Sequence, residues 1–133
     1  MPSRATAYTH AKRDKGLCQN CVEPRVPGKS KCQRHLDYFA NFMKAKRARL
    51  KARVFEHYGA VCACCGLGDR RFLSVDHKNN DGGERRKISG PASIQRYNDV
   101  IRRGFPDDIQ ILCFNCNFGR AQNSGVCPHK EMV

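Results

Sequence analysis

The sequence lacks the hydrophobic segments that place proteins in membranes or direct them for secretion. Its apolar runs are all far shorter than the roughly 20 residues of a membrane-spanning helix. Residues 1–16 are polar and contain none of the apolar stretch that marks a signal peptide. We therefore expect an intracellular protein, cytoplasmic or nucleoplasmic, without a membrane partner. No internal repeat or low-complexity tract is present either, so 133 residues predict one or two small domains.

Acidic residues are scarce as well. The chain has 12 Asp+Glu against 25 Lys+Arg, a formal net charge of +13. Residues 1–58 hold 14 Lys+Arg and 4 Asp+Glu, so most of the positive charge lies in the first half. Such a charge predicts a polyanionic partner. DNA is favoured and RNA also fits, whereas a membrane surface does not, because no segment pairs its Lys and Arg with a continuous apolar face.

Cysteine, by contrast, is abundant, with nine in the chain. In a short sequence this content is typical of a disulfide scaffold or of bound metal. The odd number, the absence of a secretion signal and the CxxC spacings favour metal. Because a chain of this size has thin apolar cores, bound zinc would supply part of the folding free energy.

A first zinc site is predicted within residues 1–36, which we assign to an N-terminal zinc finger. Its pattern is CxxC, ten residues, then CxxH. Two residues between ligands let one tight turn direct both at the same ion, and a ten-residue return brings the second pair opposite the first. Pro24, Pro27 and Gly28 supply turns between the pairs. Chance placement of Cys and His is the alternative. The predicted ligands are Cys18, Cys21, Cys32 and His35.

Residues 35–58 contain no Pro or Gly and are rich in Ala, Leu, Lys and Arg, which predicts one long helix that ends before Gly59. We treat residues 37–58 as a basic linking helix. A broken apolar stripe lets one side pack while the rest faces solvent or phosphate. The stripe comprises Leu36, Phe39, Met43, Leu50 and Val54.

The same helix carries a run of cations that no acidic residue within the run neutralises at helical spacing. A solvated face is the usual explanation for such a run, but we favour contact with DNA phosphates. The helix would lie along DNA or pair with its copy in a homodimer. The cations are Lys44, Lys46, Arg47, Arg49, Lys51 and Arg53.

A second zinc site is predicted in residues 59–133. It joins two CxxC pairs, and such four-thiolate sites are closed structural sites with no position for substrate. Short strands are predicted at 72–75 and 109–112, a polar loop at 78–90, and helices at about 93–103 and from about 115 to before Gly125. The ligands are Cys62, Cys65, Cys113 and Cys116.

The order of motifs around this second site resembles the HNH, or ββα-metal, nuclease superfamily, in particular its zinc-bound members similar to phage recombination endonuclease VII. The matching segments are CACCG, FLSVDH and QILCFNCN, within residues 61 to about 122. The resemblance implies a fold of two strands and a helix and a cut that leaves a 5′-phosphate and a 3′-hydroxyl. It assigns His77 as general base and Asp76 and Asn117 as ligands of a catalytic Mg²⁺ or Mn²⁺, with Asp108 where the family usually has Asn.

Elementary chemistry agrees with these roles. A carboxylate and an amide oxygen suit Mg²⁺ and leave positions for phosphate and water, and a neutral imidazole accepts a proton from water. Strand alternation points Asp76 and His77 to opposite faces unless the backbone bends. A histidine at a strand end is, as an alternative, often a structural hydrogen-bonding residue. In the following loop, Arg85 or Arg86 is expected to hold the phosphate beside the cut.

Three potential ligands remain, Cys64, Cys127 and His129, with His57 as a further candidate companion. Adjacent cysteines rarely bind one ion, so Cys64 is either a buried apolar side chain, which we favour, or a ligand of a third zinc with the other two.

Together these patterns predict a small α+β zinc protein with endonuclease activity. Cleavage or nicking of duplex DNA by a homing or phage-type enzyme is favoured, and a branched-DNA resolvase, for which a dimer is expected, is the next choice. A catalytically silent zinc module that binds nucleic acid is the alternative from another class.

Overall fold

The computed structural model describes residues 1, 3–90 and 92–131. The described chain is a small α+β protein with a two-stranded sheet. It divides into two compact units, Met1–Ala45 and Lys46–Val133, called the first and second unit below. The helices are α1 (Arg4–Asp14), α2 (Gln33–Tyr58), α3 (Gly82–Ser89), α4 (Ser93–Arg102) and α5 (Phe114–Gln122), with short 3-10 helices at Arg70–Phe72 and Pro128–Lys130. The strands are β1 (Leu73–His77) and β2 (Ile109–Cys113).

The first unit has almost no apolar interior. Among its described residues only Cys18 and Cys32 are buried. Backbone hydrogen bonds shape the loop between them, for example from Cys18 N to Glu23 O at 2.9 Å. The helix α1, which sequence analysis did not predict, buries no residue, and Ser3 caps it by accepting a hydrogen bond from Thr6 N. The fold of this unit is therefore organised around its cysteines.

The long helix α2 confirms the prediction of one helix ending before Gly59. That glycine has φ +85°, a left-handed conformation that commonly ends helices. The predicted apolar stripe packs unevenly, since Val54 is buried while Phe39 is 52% exposed. The first unit ends inside the helix, at Ala45, and the predicted linking helix, residues 37–58, is part of α2. Neither α2 nor any other helix of the described residues is long and apolar enough to cross a membrane.

The second unit is built on the antiparallel pair β1 and β2, whose register runs from Leu73 opposite Cys113 to His77 opposite Ile109. Regular pairing continues through Asp76 and His77, so both residues belong to the strand rather than to the loop after it. The end of α2, the helix α4 and both strands contribute to one apolar core. Its buried residues include Val54, Phe55, Leu73, Tyr97, Val100, Ile109, Ile111 and Leu112.

The predicted polar loop at residues 78–90 is wrong, because the structure forms α3 within it. An ion pair between Arg85 and Asp99 on α4 joins the two helices, with Nη2 2.8 Å from Oδ2. Asp99 is only 3% exposed. A helix with little apolar surface of its own is thus stabilised by a charged contact that no local pattern reveals.

Candidate functional site

The predicted ligands of the N-terminal finger come together. The ligand atoms of Cys18, Cys21, Cys32 and His35 all lie within 4.8 Å of one another. Cys21 Sγ is 3.7 Å from Cys32 Sγ and 3.6 Å from His35 Nδ1. A tetrahedral zinc ion with ordinary bond lengths separates two sulfurs by about 3.8 Å and sulfur from nitrogen by about 3.6 Å. This quartet could therefore hold zinc.

The second predicted quartet is also assembled. Cys62, Cys65, Cys113 and Cys116 place their sulfurs within 4.8 Å of one another, and Cys65 Sγ is 3.7 Å from Cys113 Sγ. Backbone amides of Cys65 and Cys116 donate to the sulfurs of Cys62 and Cys113. The quartet lies where β2 passes into α5, and it joins that junction to the turn after Gly59.

Two cysteines and one histidine that belong to neither predicted quartet lie close together. Cys64, Cys127 and His129 lie with Cys116 in a third group whose ligand atoms are all within 4.8 Å of one another. Cys64 is half-buried rather than the fully buried side chain that we favoured, and Cys127 is 4% exposed. Cys116 thus belongs to two groups.

Several of these thiol groups have perturbed pKa values. Burial would raise the pKa of Cys18 and Cys62, but hydrogen bonds from nearby backbone amides outweigh it and lower each pKa to about 6. Burial raises the pKa of Cys116, and the neighbouring thiols of Cys113, Cys62, Cys65 and Cys127 raise it further. Low-pKa thiolates are the form that binds metal.

Asp76, His77 and Asn117 line one cavity of about 210 Å³. β1 supplies the first two residues and the first half of α5 supplies the third. Both strand residues face this cavity although their side chains alternate, because it lies at the end of β1. Asn80 of the loop after β1 and the first residues of α3, Gly82 and Gly83, complete the wall.

Asp76 is held by two donors. Its Oδ2 accepts hydrogen bonds from Gln110 Nε2 at 2.7 Å and from Arg120 Nη1 at 2.5 Å. The side chains of Asp76 and Arg120 are 13% and 12% exposed. Among the described residues no donor contacts Oδ1, so this oxygen is the one available to a cation.

Arg120 connects several parts of the site. Besides Asp76, its guanidinium donates to the carbonyl oxygens of His77, Lys78 and Gly125. The last of these lies in the turn that follows α5. Arg120 therefore orients Asp76 and ties the end of β1 to the turn after α5.

The side-chain amide of Asn117 is oriented by β1. Its Nδ2 donates to Ser74 Oγ at 2.9 Å, and Ser74 Oγ donates to Leu112 O at 3.1 Å. Because the amino group is used in this way, the amide oxygen is the atom left for another partner. No donor among the described residues contacts that oxygen.

The imidazole of His77 packs against Gly82, where there is no side chain. A Cβ added at Gly82 would be 3.2 Å from His77 Nδ1, which is a tight contact. Neither ring nitrogen makes a hydrogen bond within the described part of the chain. Both ring nitrogens are thus left for a molecule in the cavity to contact.

Cationic side chains surround the same region. Arg86 and Arg96 line the cavity of the predicted catalytic residues. An adjoining cavity of about 300 Å³ is lined by Lys51, Arg96 and Asn117, among others. Arg85, predicted with Arg86 to hold phosphate, is instead paired with Asp99, so the two neighbours have different environments.

The other predicted cations of α2 make few contacts. Lys51 Nζ donates to Arg70 O, and Arg53 lies over the ring of Phe105. In the described chain none of the run forms an ion pair with an acidic residue. The remaining members, which are exposed or half-buried, are Lys44, Lys46, Arg47 and Arg49.

Asp108 is not among the residues that line the cavity. Its Oδ2 pairs with Arg103 at 2.7 Å, and its carbonyl oxygen accepts from Lys78 N at 2.8 Å. The residue at the usual position of the family's Asn thus holds the chain just after His77 through its backbone.

Sequence reasoning missed Arg96, Arg120 and Ser74. The only local signal for Arg120 was its spacing of three residues from Asn117, which places both on one side of a helix. Comparison of the chain with protein-family models, with curated proteins and with solved structures finds no match.

Proposed function

We propose that the protein is a metal-dependent DNA endonuclease of the HNH, or ββα-metal, superfamily that hydrolyses a phosphodiester to a 5′-phosphate and a 3′-hydroxyl. The observation that carries this proposal is the convergence of Asp76, His77 and Asn117 on one cavity. Two strands followed by a helix supply these residues, and a cysteine quartet lies at the junction of the second strand with the helix. Zinc in that quartet would be structural.

The residues fit a divalent cation. Asp76 Oδ1 and the amide oxygen of Asn117 are hard oxygen ligands without a hydrogen-bond donor in the described chain. The ion pair of Asp76 with Arg120 reduces the negative charge at the site, so the ion would depend on Oδ1 and on the phosphate for its remaining charge. Mg²⁺ or Mn²⁺ bound there would offset negative charge that develops on the scissile phosphate.

His77 would act as the general base. Its imidazole takes a proton from water, the oxygen of that water forms a bond to phosphorus, and the bond from phosphorus to the 3′ oxygen breaks. The departing 3′ oxygen takes a proton from solvent. A general base in position contributes roughly 10²–10⁴-fold to the rate.

Positive charge around the cavity supports DNA as substrate. Arg86 and Arg96 are placed to contact phosphates near the cut, and Lys51 borders the adjoining cavity. The cations of α2 would add sequence-independent phosphate contacts and make binding sensitive to salt. Such contacts position DNA without reading its sequence, so they favour neither a duplex nor a junction.

The test is cleavage of supercoiled plasmid by purified, zinc-loaded protein with Mg²⁺. Wild type is expected to relax or linearise the plasmid, and His77→Ala is expected to lose roughly 10²–10⁴-fold in rate while retaining zinc and DNA affinity. His10→Ala is the matched control, because His10 is exposed on α1, outside the cavity. Equal cleavage rates of wild type and His77→Ala would show that His77 is not the general base.

A four-way junction and single-stranded RNA serve as further substrates in the same assay. Preference for the junction, together with a dimer in solution, would assign the protein to the resolvases. Preference for linear or supercoiled duplex would keep the homing or phage-type assignment.

The second candidate function is a catalytically silent zinc module that binds nucleic acid. The contact that favours it is the ion pair between Asp76 and Arg120, since it occupies one carboxylate oxygen that a metal would otherwise use. This alternative predicts tight, salt-sensitive DNA binding with no cleavage in Mg²⁺ or Mn²⁺, and binding that is indifferent to His77→Ala.

A further inference from the structure

We propose that the second unit binds two zinc ions that share the sulfur of Cys116, so that this unit contains a two-zinc cluster rather than one four-thiolate site. This inference is independent of nuclease activity. It rests on two groups of ligand atoms, each within 4.8 Å, that have Cys116 in common. Cys62, Cys65 and Cys113 complete one group, and Cys64, Cys127 and His129 complete the other.

The second group has the dimensions of a zinc site. His129 Nδ1 lies 3.3 Å from Cys116 Sγ and 3.6 Å from Cys127 Sγ. A tetrahedral zinc ion places sulfur and nitrogen about 3.6 Å apart. Cys116 and Cys127 are buried, at 0% and 4% exposure, so these sulfurs do not simply face solvent. Cys64 is half-buried and His129 is exposed, so the second group lies between the core and the surface.

Sharing also explains the adjacent pair Cys64 and Cys65. Neighbouring cysteines rarely bind one ion because their side chains diverge. Here each belongs to a different group, with Cys65 in the first and Cys64 in the second. Seven residues then fill the eight ligand positions of two tetrahedral ions, since a thiolate sulfur has lone pairs for two metals. Six thiolates and two zinc ions would leave a net charge of −2, the same as a single four-thiolate zinc site.

The additional ion would fix the segment that follows α5. This segment already packs closely on the helix, because a Cβ at Gly119 would lie 3.1 Å from Pro128 Cδ. In its turn, Gly125 O accepts a hydrogen bond from Arg120 Nε at 2.8 Å, and Arg120 also forms an ion pair with Asp76. The shared cluster would therefore help position Asp76 through Arg120.

Zinc content measured on Cys18→Ser counts the ions of the second unit directly, because this variant removes a ligand of the finger. We expect two zinc ions per chain in Cys18→Ser and three in wild type. Adding His129→Ala or Cys127→Ser to either protein should lower its zinc content by one ion. Adding His129→Cys, which supplies another thiolate ligand, should leave the zinc content unchanged. His10→Ala is the control that should leave it unchanged. One zinc ion per chain in Cys18→Ser would overturn the proposal.

A disulfide between Cys64 and Cys127 is the competing explanation of their proximity. It predicts one zinc ion in Cys18→Ser and a denatured mass lower by two hydrogens, a result that would also overturn the proposal. The shared sulfur is tested by replacing zinc with ¹¹³Cd. Two of the cadmium resonances should split each other through Cys116, and two unsplit resonances from the second unit would show separate sites.

Neither measurement depends on DNA cleavage. Loss of nuclease activity with intact metal counts would refute the proposed function alone, and a single zinc ion in the second unit with intact cleavage would refute the cluster alone.

Discussion

The two units differ in what occupies their interiors. In the first unit the buried residues of the described chain are two cysteines of the finger quartet, Cys18 and Cys32. In the second unit cysteines are buried together with an apolar core that includes Phe55, Leu73 and Ile111. The fold of the first unit is therefore expected to depend on metal in its cysteine and histidine quartet, whereas the second unit has hydrophobic burial in addition to its quartet.

The large apolar side chains of the first unit do not form a core, because they are exposed. Tyr38, Phe39 and Phe42 on α2 are 69%, 52% and 47% exposed. Farther along the same helix, Val54 and Phe55 are fully buried in the second unit. One continuous helix thus has an exposed apolar region in one unit and a buried one in the other, and the tertiary surroundings decide which.

The largest expected effect is unfolding of the first unit when one of its predicted zinc ligands is replaced. Structural zinc contributes on the order of 10–16 kcal/mol to folding of small fingers, far more than the interior of this unit can replace. We expect Cys32→Ser to abolish amide protection around residues 17–32 while the amides of Gln110 and Leu112, which pair with β1, stay protected. Hydrogen exchange followed by NMR measures both. Retained protection in the finger would show that its fold does not require zinc.

A second substitution truncates one side chain of the apolar core and leaves all the predicted metal ligands in place. Phe55 is 1% exposed in the second unit, so Phe55→Ala should lower the free energy of unfolding of that unit by about 3–5 kcal/mol. The exchange rates of the slowest β2 amides report this loss. Phe42→Ala is the matched control, because Phe42 is 47% exposed and its truncation should leave these rates nearly unchanged.

A third substitution tests the buried charge that holds α3 to α4. Burial raises the pKa of Asp99, but hydrogen bonds from Arg85 and Arg102 outweigh this and lower it. Asp99→Asn would leave Arg85 without its carboxylate, at a cost of about 2 kcal/mol, less than for a fully buried pair because the arginines are partly exposed. Urea unfolding followed at second-unit resonances measures this change. The exposed Asp107→Asn is expected to have no effect.

The smallest expected effect concerns Tyr58, whose hydroxyl donates to Pro106 O at 2.7 Å. Tyr58→Phe should destabilise the second unit by about 1 kcal/mol near neutral pH. Burial first, and then the charge of Asp108, raises the pKa of Tyr58 to about 12. The unfolded chain ionises near pH 10, so the stabilisation is fully present below pH 10 and is lost as the pH rises toward 12.

The difference in stability between wild type and Tyr58→Phe should therefore narrow by about 1 kcal/mol between pH 9 and pH 11. A constant difference over that range would contradict the raised pKa. Tyr8→Phe, at an exposed position of α1, controls for general effects of alkaline pH.

Patterns of local spacing predicted much of the molecule. The CxxC and CxxH spacings identified both quartets that could hold zinc, and the alternating apolar residues around Val75 and Ile111 identified both strands. The absence of Pro and Gly predicted α2 to within two residues of its start. Each of these features depends on residues that are close in the sequence, for which periodicity and turn chemistry are sufficient.

Features that depend on distant partners were missed. The helix α3 is polar, and its support is the contact of Arg85 with Asp99, fourteen residues away. Arg120 contacts Asp76 across 44 residues, and no spacing rule connects the two. Cys64, for which we favoured a buried apolar side chain, is half-buried against the core and lies beside Cys127 and His129, which come from the other end of the second unit.

By itself the sequence determined that this is a cysteine-rich, basic, small α+β chain with two CxxC-based quartets, because ligand spacing and hydrophobic periodicity are local properties. Only the tertiary structure decided that Cys116 belongs to two groups, that Asp76 pairs with Arg120 and that Arg86 rather than Arg85 faces the cavity. Those outcomes depend on which distant side chains reach the same few ångströms, and packing of the two strands against α5 brings them there.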